Sequence, residues 1–393
     1  MIYRDFKGEK ISMLGFGTMR LPLEEDGSID EAHTLRMVDY ALKNGINYFD
    51  TAYPYHGGMS ERVIGKALSN YPRDSYYLAT KYPGHMIAKN YHPAATFEEQ
   101  LKKCGVEYFD FYLLHNVYEN SIKVYRDERW GIVDYFLEQR RQGRIKHLGF
   151  SSHGQLENLR EFLDEYGDEM EFCQIQLNYL DWTMQNAKEK YDLLTERNIP
   201  VWVMEPVRGG KLMGEEVEKK PGLSEICPGD GAASLAFRFI QRLDNATVVL
   251  SGMSDMNQMK ENVEIFKALN PLGDAETEKL LAAAEKLKDA VPCTACRYCC
   301  DGCPAGLDIP RLLGAYNDFK FDPTFGVTML MESLPEDKQA SSCIGCGSCS
   351  AVCPQKIDIP KVLAQFADGL AKLPSWAEIC RQREEAQAAN GKK

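Results

Sequence analysis

Short apolar runs alternate with amphipathic stretches of helical period from the N-terminus to about residue 270. A short apolar run followed by apolar positions three and four apart indicates a strand followed by a helix. The pattern predicts strands at residues 14–21, 48–52, 76–82, 109–115, 146–152, 172–180, 201–207 and 247–252. It predicts helices between them, among which are residues 30–44, 60–69, 132–142, 155–166, 187–197, 232–242 and 256–268. Residues 2–11 are expected to form a small hairpin whose turn lies near Lys7 and Gly8.

Eight strand–helix units in this length predict an α/β fold, a (β/α)8 TIM barrel with a parallel sheet. An open, doubly wound sheet is the alternative. Such a sheet normally shows a glycine-rich phosphate loop after its first strand. The sequence G-F-G-T at 15–18 lacks the third glycine and the helix that such a loop opens. The pattern therefore favours the barrel.

Two cysteine runs near the C-terminus have the spacing C-x-x-C-x-x-C-x-x-x-C-P. They consist of Cys293, Cys296, Cys299 and Cys303, then Cys343, Cys346, Cys349 and Cys353. In this spacing three thiolates bind one 4Fe–4S cluster and the fourth binds a neighbouring cluster. The crossed sets would be Cys293, Cys296, Cys299 and Cys353 for one cluster, and Cys343, Cys346, Cys349 and Cys303 for the other. Tetrahedral zinc is the alternative, but four cysteines repeated at identical spacing favour clusters.

These patterns divide the chain into four parts. We expect a barrel at 1–270, a linker helix at 271–291, a small C-terminal α-helical, ferredoxin-like iron–sulfur domain at 292–365 and a C-terminal tail at 366–393. The tail ends in the polar sequence REEAQAANGKK, which is expected to be frayed.

Net charge and cysteine usage indicate which ligands and which cellular compartment are expected. The formal net charge of −12 argues against binding to nucleic acid or to an anionic membrane surface, because phosphate binding needs concentrated positive charge. The N-terminus carries no apolar signal core, and no apolar run approaches membrane-spanning length. Eight of the thirteen cysteines lie in the two runs, so a disulfide framework is not expected and a reducing cytoplasm is the predicted location.

Polar residues at consecutive strand ends are the candidates for catalysis. Asp50 follows the second strand with Tyr55 five residues later, Lys81 ends the third and His115 ends the fourth. Catalytic groups of a parallel barrel cluster at these ends. A tyrosine can give a proton to a carbonyl oxygen when a lysine ammonium lowers the cost of the phenolate and an aspartate fixes the lysine. A histidine can orient the same oxygen.

The motifs around these residues resemble those of the aldo-keto reductases. F-D-T-A-Y-P-Y-H-G at 49–57, Ser60-Glu61, T-K at 80–81 and D-F-Y-L-L-H-N at 110–116 match the family's signatures, and the resemblance covers most of residues 1–268. It implies reduction of an aldehyde, ketone or related small molecule by hydride from a nicotinamide cofactor. It also implies Asp50, Tyr55, Lys81 and His115 as the catalytic tetrad, with Tyr55 as proton donor. The family's D-T-A-x-x-Y spacing selects Tyr55 rather than Tyr53.

The resemblance also implies a set of cofactor contacts. They are Gly17, Thr18, Met19, Ser151, Ser152, Gln174, Met204, Gly252, Met253, Gln258, Glu261 and Asn262. Met204 stands where the family usually has an aromatic that covers the nicotinamide, a task that a methionine can also perform. Gly252 and Gln258 stand where the family usually offers a lysine and an arginine to a 2′-phosphate. NAD(H) is therefore favoured over NADP(H), with Lys260 and Arg208 as alternative phosphate partners.

Hydride transfer moves two electrons together, whereas each cluster passes one, so the barrel and the clusters do not obviously form one redox chain. Three hypotheses relate their functions. The barrel reduces its small-molecule substrate while the clusters have another role, or the clusters relay electrons from a ferredoxin or flavoprotein, or the chain is a non-catalytic electron-transfer subunit. Arg126 and Arg129 hint at an anionic substrate, although a solvated loop is favoured for both. His85 and most other histidines are expected to be structural or solvated. A homo-oligomer is neither predicted nor excluded.

Overall fold

The chain folds into two compact units. The computed structural model describes residues 1–213, 226, 231–287, 291, 293, 297–321, 323, 325–353 and 355–390. The first unit comprises Met1–Ala283 together with the chain from Arg383, and the second comprises Ala284–Gln382. The boundary between them falls within the predicted linker segment 271–291.

The first unit is built on a closed barrel of eight parallel strands. A two-stranded hairpin, β1 and β2, precedes it, and the barrel order is β10-β3-β4-β5-β6-β7-β8-β9. The prediction of a (β/α)8 barrel is confirmed, and a doubly wound sheet is excluded because the first and last barrel strands pair with each other. The strands are Tyr3–Phe6 (β1), Glu9–Ser12 (β2), Leu14–Gly17 (β3), Tyr48–Asp50 (β4), Tyr77–Tyr82 (β5), Phe109–Leu114 (β6), Ile145–Ser152 (β7), Cys173–Gln176 (β8), Val201–Met204 (β9) and Ala246–Ser251 (β10).

The hairpin packs against the interior of the barrel. Lys7 and Gly8 both have positive φ and turn β1 into the antiparallel β2, as the sequence predicted. Phe6 lies 5.1 Å from Trp202 and 5.6 Å from Phe111, measured between ring centroids. These aromatic rings are fully or almost fully buried, so the barrel interior is a packed core rather than a channel.

Helices follow the barrel strands, and the longer ones bury apolar residues along one face. They are Glu31–Lys43, Ser60–Leu68, Pro93–Cys104, Ser121–Tyr125, Ile132–Arg141, Leu156–Tyr166, Asp181–Met184, Ala187–Glu196, Ala232–Gln241, Met256–Ile265 and Asp274–Leu287. Pro93–Cys104 was not among the predicted helices. It begins at a proline and ends at Gly105, which has φ 65°, so its start and stop signals were present in the sequence.

Four strands end at least two residues earlier than predicted, and the residues beyond them form the loops at the rim. β3 stops at Gly17 and a 3-10 turn follows at Thr18–Arg20. β9 stops at Met204, and Glu205 takes a φ of 55° that a strand does not allow. The predicted strands at 48–52 and 172–180 end at Asp50 and Gln176. Apolar runs at strand ends therefore continue into buried loops, which periodicity alone does not separate from strand.

The second unit is helical. Its helices are Tyr298–Asp301, Ile309–Phe321, Phe325–Ser333, Ser348–Ala351, Ile359–Leu370 and the first part of Trp376–Asn390. Leu312 and Phe366, neither of them exposed, lie in its apolar core. The polar end that was predicted to be frayed is helical as far as Asn390, and its last residues belong to the first unit. Among the described residues, no helix is both long and apolar enough to span a bilayer.

Candidate active site and cluster cavity

The loop after β4 carries the predicted proton donor. β4 ends at Asp50, and a tight turn at Tyr55–Gly58 leads into the helix Ser60–Leu68. Within the turn His56 has φ 52°, and its Nε2 accepts a hydrogen bond from the N–H of Leu21 at 3.3 Å. This contact ties the turn to the neighbouring loop and so restricts where Tyr55 can lie.

Lys81 joins the predicted tetrad in the interior of the site. Its side chain is fully buried, and its Nζ donates hydrogen bonds to the carboxylate of Asp50 and, at 2.8 Å, to the carbonyl oxygen of Thr51. The same Nζ lies 3.5 Å from the hydroxyl oxygen of Tyr55. Three of the four predicted catalytic residues therefore form one chain of contacts: carboxylate, ammonium, phenol.

Burial governs the ionisation of this chain. It raises the pKa of Tyr55 above its ordinary value, and the charge of Lys81 offsets this only in part. Burial also disfavours the ammonium of Lys81, but the charge of Asp50 and the contact with Tyr55 outweigh it, so the pKa of Lys81 is raised. Burial raises the pKa of Asp50, and Lys81 reduces that rise. The sequence predicted that the lysine favours the phenolate, and the charge of Lys81 does act to lower the pKa of Tyr55, although burial raises that pKa by more.

The fourth tetrad residue, His115, lies beside the phenol and against a second histidine. Its ring centroid is 6.1 Å from that of Tyr55 and 4.2 Å from that of His85. Burial, followed by the neighbouring His85 and the charge of Lys81, lowers the pKa of His115 well below its ordinary value. The pKa of His85 is lowered to about 3, again chiefly by burial. Both imidazoles are therefore neutral at physiological pH, and the sequence had given His85 no place in the site.

Tyr53, the other tyrosine of the motif, points elsewhere. Its hydroxyl donates to Glu99 at 3.0 Å, and the Nζ of Lys103 lies 4.1 Å from its ring centroid. Burial and the nearby Glu99 carboxylate raise its pKa. Tyr53 thus lies among acidic and basic side chains of the neighbouring helix, away from Lys81, which agrees with the motif spacing that selected Tyr55.

The residues predicted to hold the nicotinamide lie at the ends of β7, β8 and β9. The Oε1 atom of Gln174 is buried and accepts no hydrogen bond in the part of the chain that the structure describes, while its Nε2 lies 3.4 Å from the sulfur of Met204. Ser151 Oγ accepts from the Asn116 N–H, which leaves its own hydroxyl hydrogen to donate. Ser152 donates to the carbonyl oxygen of Val117 and is thereby occupied. An unmatched amide oxygen beside a donor hydroxyl fits a carboxamide group.

Predicted contacts on the first loop differ in exposure. Thr18 is buried and its hydroxyl donates to the carbonyl oxygen of Asp50 at 2.9 Å. Gly17 lies against the main chain of Ser251, where a Cβ would be 3.4 Å from the carbonyl oxygen. Met19 is 40% exposed at the rim. Gly17 and Met19 therefore border the space above β3, whereas the Thr18 side chain fixes the loop.

After β10 the helix Met256–Ile265 begins at a carboxylate. Asp255 caps it by accepting hydrogen bonds from the N–H groups of Asn257 at 2.7 Å and Gln258 at 3.0 Å. The side chain of Gln258 folds back and accepts from the Ser254 N–H at 2.8 Å. A carboxylate thus occupies the helix N-terminus, a position that would otherwise attract an anionic ligand group.

The other predicted residues of this loop divide into buried and exposed positions. Met253 is buried, and Asn262 is buried with its Nδ2 donating to Ser251 Oγ at 2.9 Å. Gly252 lies beside the aliphatic part of Arg20. Glu261 is exposed. Asn262 thus anchors the helix to β10, while Glu261 remains the side chain of the predicted pair that faces solvent.

Three of the four cations considered from the sequence are held in ion pairs. The guanidinium of Arg208 is 5% exposed and donates to the buried carboxylate of Asp181 at 2.8 Å. It is therefore not available to bind a phosphate. Lys260 is exposed on the helix Met256–Ile265. In the loop after β6, Arg126 pairs with Glu161 and Glu165 on a neighbouring helix, which explains that loop's positive charge without a ligand. Arg129, predicted with it, pairs with Asp127.

In the second unit, one of the two predicted cysteine sets lines a cavity. The wall of this cavity contains Cys303, Cys343, Cys346 and Cys349. These are the four residues of one crossed set, brought together from both runs. Gly347 has φ 76°, which lets the chain turn between Cys346 and Cys349. Four thiols are the ligand set that a 4Fe–4S cluster requires, so these residues fit the predicted cluster.

The second crossed set is described in part. Cys299 is buried, and Cys293 and Cys353 are partly buried against the same apolar core. Cys296 lies outside the described residues. Cys300, the cysteine that the repeat left unmatched, also packs against this core and does not line the cavity.

Comparisons with known proteins agree with both units. The Aldo/keto reductase family matches residues 13–285, and a 4Fe-4S dicluster domain matches residues 292–357. A probable aldo-keto reductase of Glycine max is 28% identical over 319 residues, covering 68% of this chain and 88% of the relative. The NADH-specific methylglyoxal reductase of Escherichia coli is 25% identical over 330 residues, covering 71% and 96%.

A solved structure is similar as well. The holo form of aldo-keto reductase AKR11C1 from Bacillus halodurans superimposes with a TM-score of 0.60 at 25% identity, covering 72% of this chain and 96% of that chain. The match to the family extends over well more than half of the sequence and contains the whole barrel. The chain belongs to the aldo/keto reductase family and carries a C-terminal 4Fe-4S dicluster domain.

Proposed function

We propose that the barrel unit reduces the carbonyl group of a small aldehyde or ketone and that Tyr55 donates the proton. The observation that carries the proposal is the buried ammonium of Lys81, which contacts both the carboxylate of Asp50 and the phenol of Tyr55. When bound, a nicotinamide cofactor would supply the hydride. The residues of the chain hold the reactants, exclude water and manage the proton.

The ionisation of Tyr55 suits it to reduction. Because its pKa is raised, the phenol keeps its proton at neutral pH and can give it to a carbonyl oxygen. As the proton leaves, the ammonium of Lys81 at 3.5 Å stabilises the phenolate. Asp50 in turn stabilises the charged form of Lys81.

His115 would orient the carbonyl oxygen. Its lowered pKa keeps the imidazole neutral, so one ring nitrogen carries a hydrogen that can be donated. Its Nδ1 atom is buried and has no hydrogen-bond partner among the described residues. A neutral donor next to the phenol of Tyr55 would hold the oxygen in line with the proton without competing for it.

Three residues would hold the nicotinamide. The Oε1 of Gln174 can accept from the carboxamide nitrogen, and the hydroxyl of Ser151 can donate to the carboxamide oxygen. Met204 lies next to Gln174 and can cover one face of the ring.

We propose NADH as the preferred nucleotide. The carboxylate of Asp255 at the start of its helix would repel a 2′-phosphate, and Arg208 is paired with Asp181. One relative of the same family is, by its name, NADH-specific. Exposed Lys260 is the cation that could still favour NADPH.

Two measurements test the proposal. Titration of the anaerobically purified protein with each nucleotide, followed by nicotinamide fluorescence, should give tighter binding of NADH. A survey of small aldehydes and ketones should then show NADH-dependent reduction of at least one class. Tighter binding of NADPH would overturn the nucleotide preference, and absence of turnover with every carbonyl class would overturn the reaction.

A second candidate function is favoured by one feature of the cluster cavity. Cys346 is exposed, and its neighbour Ile344 is 69% exposed at the cavity wall. A cluster there would lie close to solvent, where it could exchange single electrons with a ferredoxin or a flavoprotein. We propose this exchange as the alternative route of electrons into the chain.

An anaerobic experiment separates the two routes. The clusters are reduced with dithionite, excess reductant is removed, and a carbonyl substrate is added without nucleotide. Reoxidation of the cluster absorbance at the rate of turnover would favour the relay. Reduced clusters that persist while NADH supports full turnover would favour direct reduction.

A further inference from the structure

The end of the C-terminal helix belongs to the barrel unit and lies against the loop that carries Tyr55. Gln387 Nε2 donates to the main-chain carbonyl oxygen of Tyr53 at 3.1 Å, and Asn390 Nδ2 donates to that of Gly57 at 3.3 Å. The two acceptors stand two residues before and two residues after Tyr55 in the sequence. The helix therefore holds the main chain on both sides of the proposed proton donor.

The turn that follows Tyr55 has a backbone that few residues adopt. His56 has φ 52° and ψ 42°, and Gly57 has φ 59° and ψ 34°, so both lie in the left-handed helical region. Gly58 follows with φ 83°. The Cβ of a residue such as His56 disfavours this region. A turn of this kind persists only where the surrounding contacts fix it, and such turns are common at active sites.

The helix supplies contacts of shape as well as hydrogen bonds. A Cβ added to Gly57 would lie 3.1 Å from the Cβ of Ala386, and one added to Gly58 would lie 3.1 Å from the Cγ of Gln387. Both distances are shorter than ordinary van der Waals contact, so the two glycines are what allows the helix to approach the turn. The helix and the turn are therefore fitted to each other.

The position of the phenol depends on this loop more than on the barrel strands. Asp50 ends β4 and Lys81 lies within β5, whereas Tyr55 lies beyond the end of β4. The Nζ of Lys81 is 3.5 Å from the hydroxyl oxygen of Tyr55, which is close to the upper limit for a hydrogen bond. A displacement of the loop by about 1 Å would break that contact and misplace the proton donor.

We propose that Gln387 and Asn390 are positioning residues, which hold the loop from Tyr53 to Gly58 so that the hydroxyl of Tyr55 stays within reach of Lys81. The inference rests on the proposed function, in which Tyr55 donates the proton. Both residues act through the main chain of the loop. They lie beyond the part of the chain that the aldo/keto reductase family matches, residues 13–285, so a C-terminal addition supports the catalytic loop.

The kinetic test uses the protein with its clusters, purified without oxygen. NADH-dependent reduction of 4-nitrobenzaldehyde, or of the best substrate from the carbonyl survey, is measured for Q387A, N390A and the double variant. We expect kcat per nicotinamide-binding site to fall about 10-fold in each single variant and about 100-fold in the double variant. The KM for the carbonyl compound and the Kd for NADH should not change. Q382A is the matched control, because Gln382 is exposed on the same helix and donates to Glu378.

Q387E separates the hydrogen bond from the packing. Glutamate has nearly the same shape as glutamine and keeps the Cγ next to Gly58, but its carboxylate has no N–H to donate to the carbonyl oxygen of Tyr53. Q387E should therefore lose as much activity per site as Q387A. Because kcat is counted per nicotinamide-binding site, a smaller folded fraction would leave it unchanged. Undiminished kcat per site in the double variant would overturn the inference, and so would full activity in Q387E.

Amide hydrogen exchange followed by mass spectrometry separates this inference from the proposed function, because it needs no turnover. Peptides that contain residues 53–58 should exchange faster in the double variant than in the unmodified protein, whereas peptides from the barrel strands should not change. Q382A should match the unmodified protein throughout. If no carbonyl compound is reduced, the proposed function fails and the exchange alone decides. Faster exchange confined to the loop then supports the holding role of Gln387 and Asn390, and unchanged exchange rejects it.

Discussion

The Nζ atom of the fully buried Lys81 lies 3.5 Å from the hydroxyl oxygen of Tyr55. Burial makes the phenol a weaker acid than a tyrosine in water, and the ammonium limits that effect. A phenol that stays protonated, yet has a cation ready to stabilise its conjugate base, is what proton donation to a carbonyl requires.

Replacing Tyr55 should remove the proton donor and leave the rest of the protein intact. We expect Y55F to lower kcat for carbonyl reduction by about 10²- to 10⁴-fold, the usual contribution of a positioned acid. Iron content should not change. Y53F is the matched control, because Tyr53 is bonded to Glu99 instead of Lys81 and should keep most activity. A Y55F variant with undiminished turnover would show that another group is the acid.

The Asp50–Lys81 pair should matter for stability as well as for activity. In D50N the fully buried ammonium of Lys81 loses its countercharge, so the free energy of unfolding of the barrel unit should fall by about 3–5 kcal/mol. Guanidinium denaturation followed by tryptophan fluorescence, to which the buried Trp202 contributes, measures this loss. The control, D192N, breaks an exposed pair with Lys188 and should cost less than about 1 kcal/mol. Equal losses of unfolding free energy in D50N and D192N would mean that the buried pair contributes no more to stability than the exposed pair.

The kcat/KM for carbonyl reduction should not fall as the pH is lowered through the ordinary pKa of histidine. An unperturbed imidazole would take up a proton as the pH falls through about 6.5. Because the pKa of His115 lies well below that value, the neutral form persists and kcat/KM should stay constant down to about pH 5.5. Rates with a neutral aldehyde measure this without titration of the substrate. A fall in kcat/KM centred near pH 6.5 would show that His115 titrates normally in the working enzyme.

The sequence predicted most of the site because a parallel barrel aligns its strand ends. Asp50, Lys81 and His115 end consecutive strands, so their proximity followed from the order of strands and no detail of packing was needed. The cysteine spacing likewise predicted that Cys303 would join Cys343 across the two runs, and both line one cavity.

The residues that the sequence missed lie where position depends on long-range packing. His85 comes after β5 in a loop whose path is set by contacts, among them the one with His115. The segment 383–390 is polar and charged and has no apolar periodicity, which gave no reason to expect a helix packed against the loop of Tyr55. The partners of Gln387 and Asn390 are main-chain carbonyl groups, which a sequence does not display.

Removing the charge of Asp255 should strengthen the binding of NADPH relative to NADH. In D255N the side-chain oxygen can still cap the helix, so the fold is kept while repulsion of a 2′-phosphate is lost. NADPH should bind about 10-fold more tightly, and NADH should be affected much less. D274N, at the start of another helix, is the control and should change neither affinity. If D255N leaves the ratio of the two affinities unchanged, Asp255 does not set the nucleotide preference.

The iron content of cysteine variants distinguishes the cysteines that bind a cluster from neighbouring cysteines that do not. Cys303 lines the cavity with Cys343, Cys346 and Cys349, whereas Cys300 lies three residues away and does not. We expect C303S, purified without oxygen, to lose about four of about eight irons, because a cube that lacks one thiolate is held less firmly. C300S should keep all of them, since it changes a packing cysteine of similar burial. The two variants differ only in whether the altered thiol faces the cavity, so equal iron content in C303S and C300S would contradict the crossed assignment.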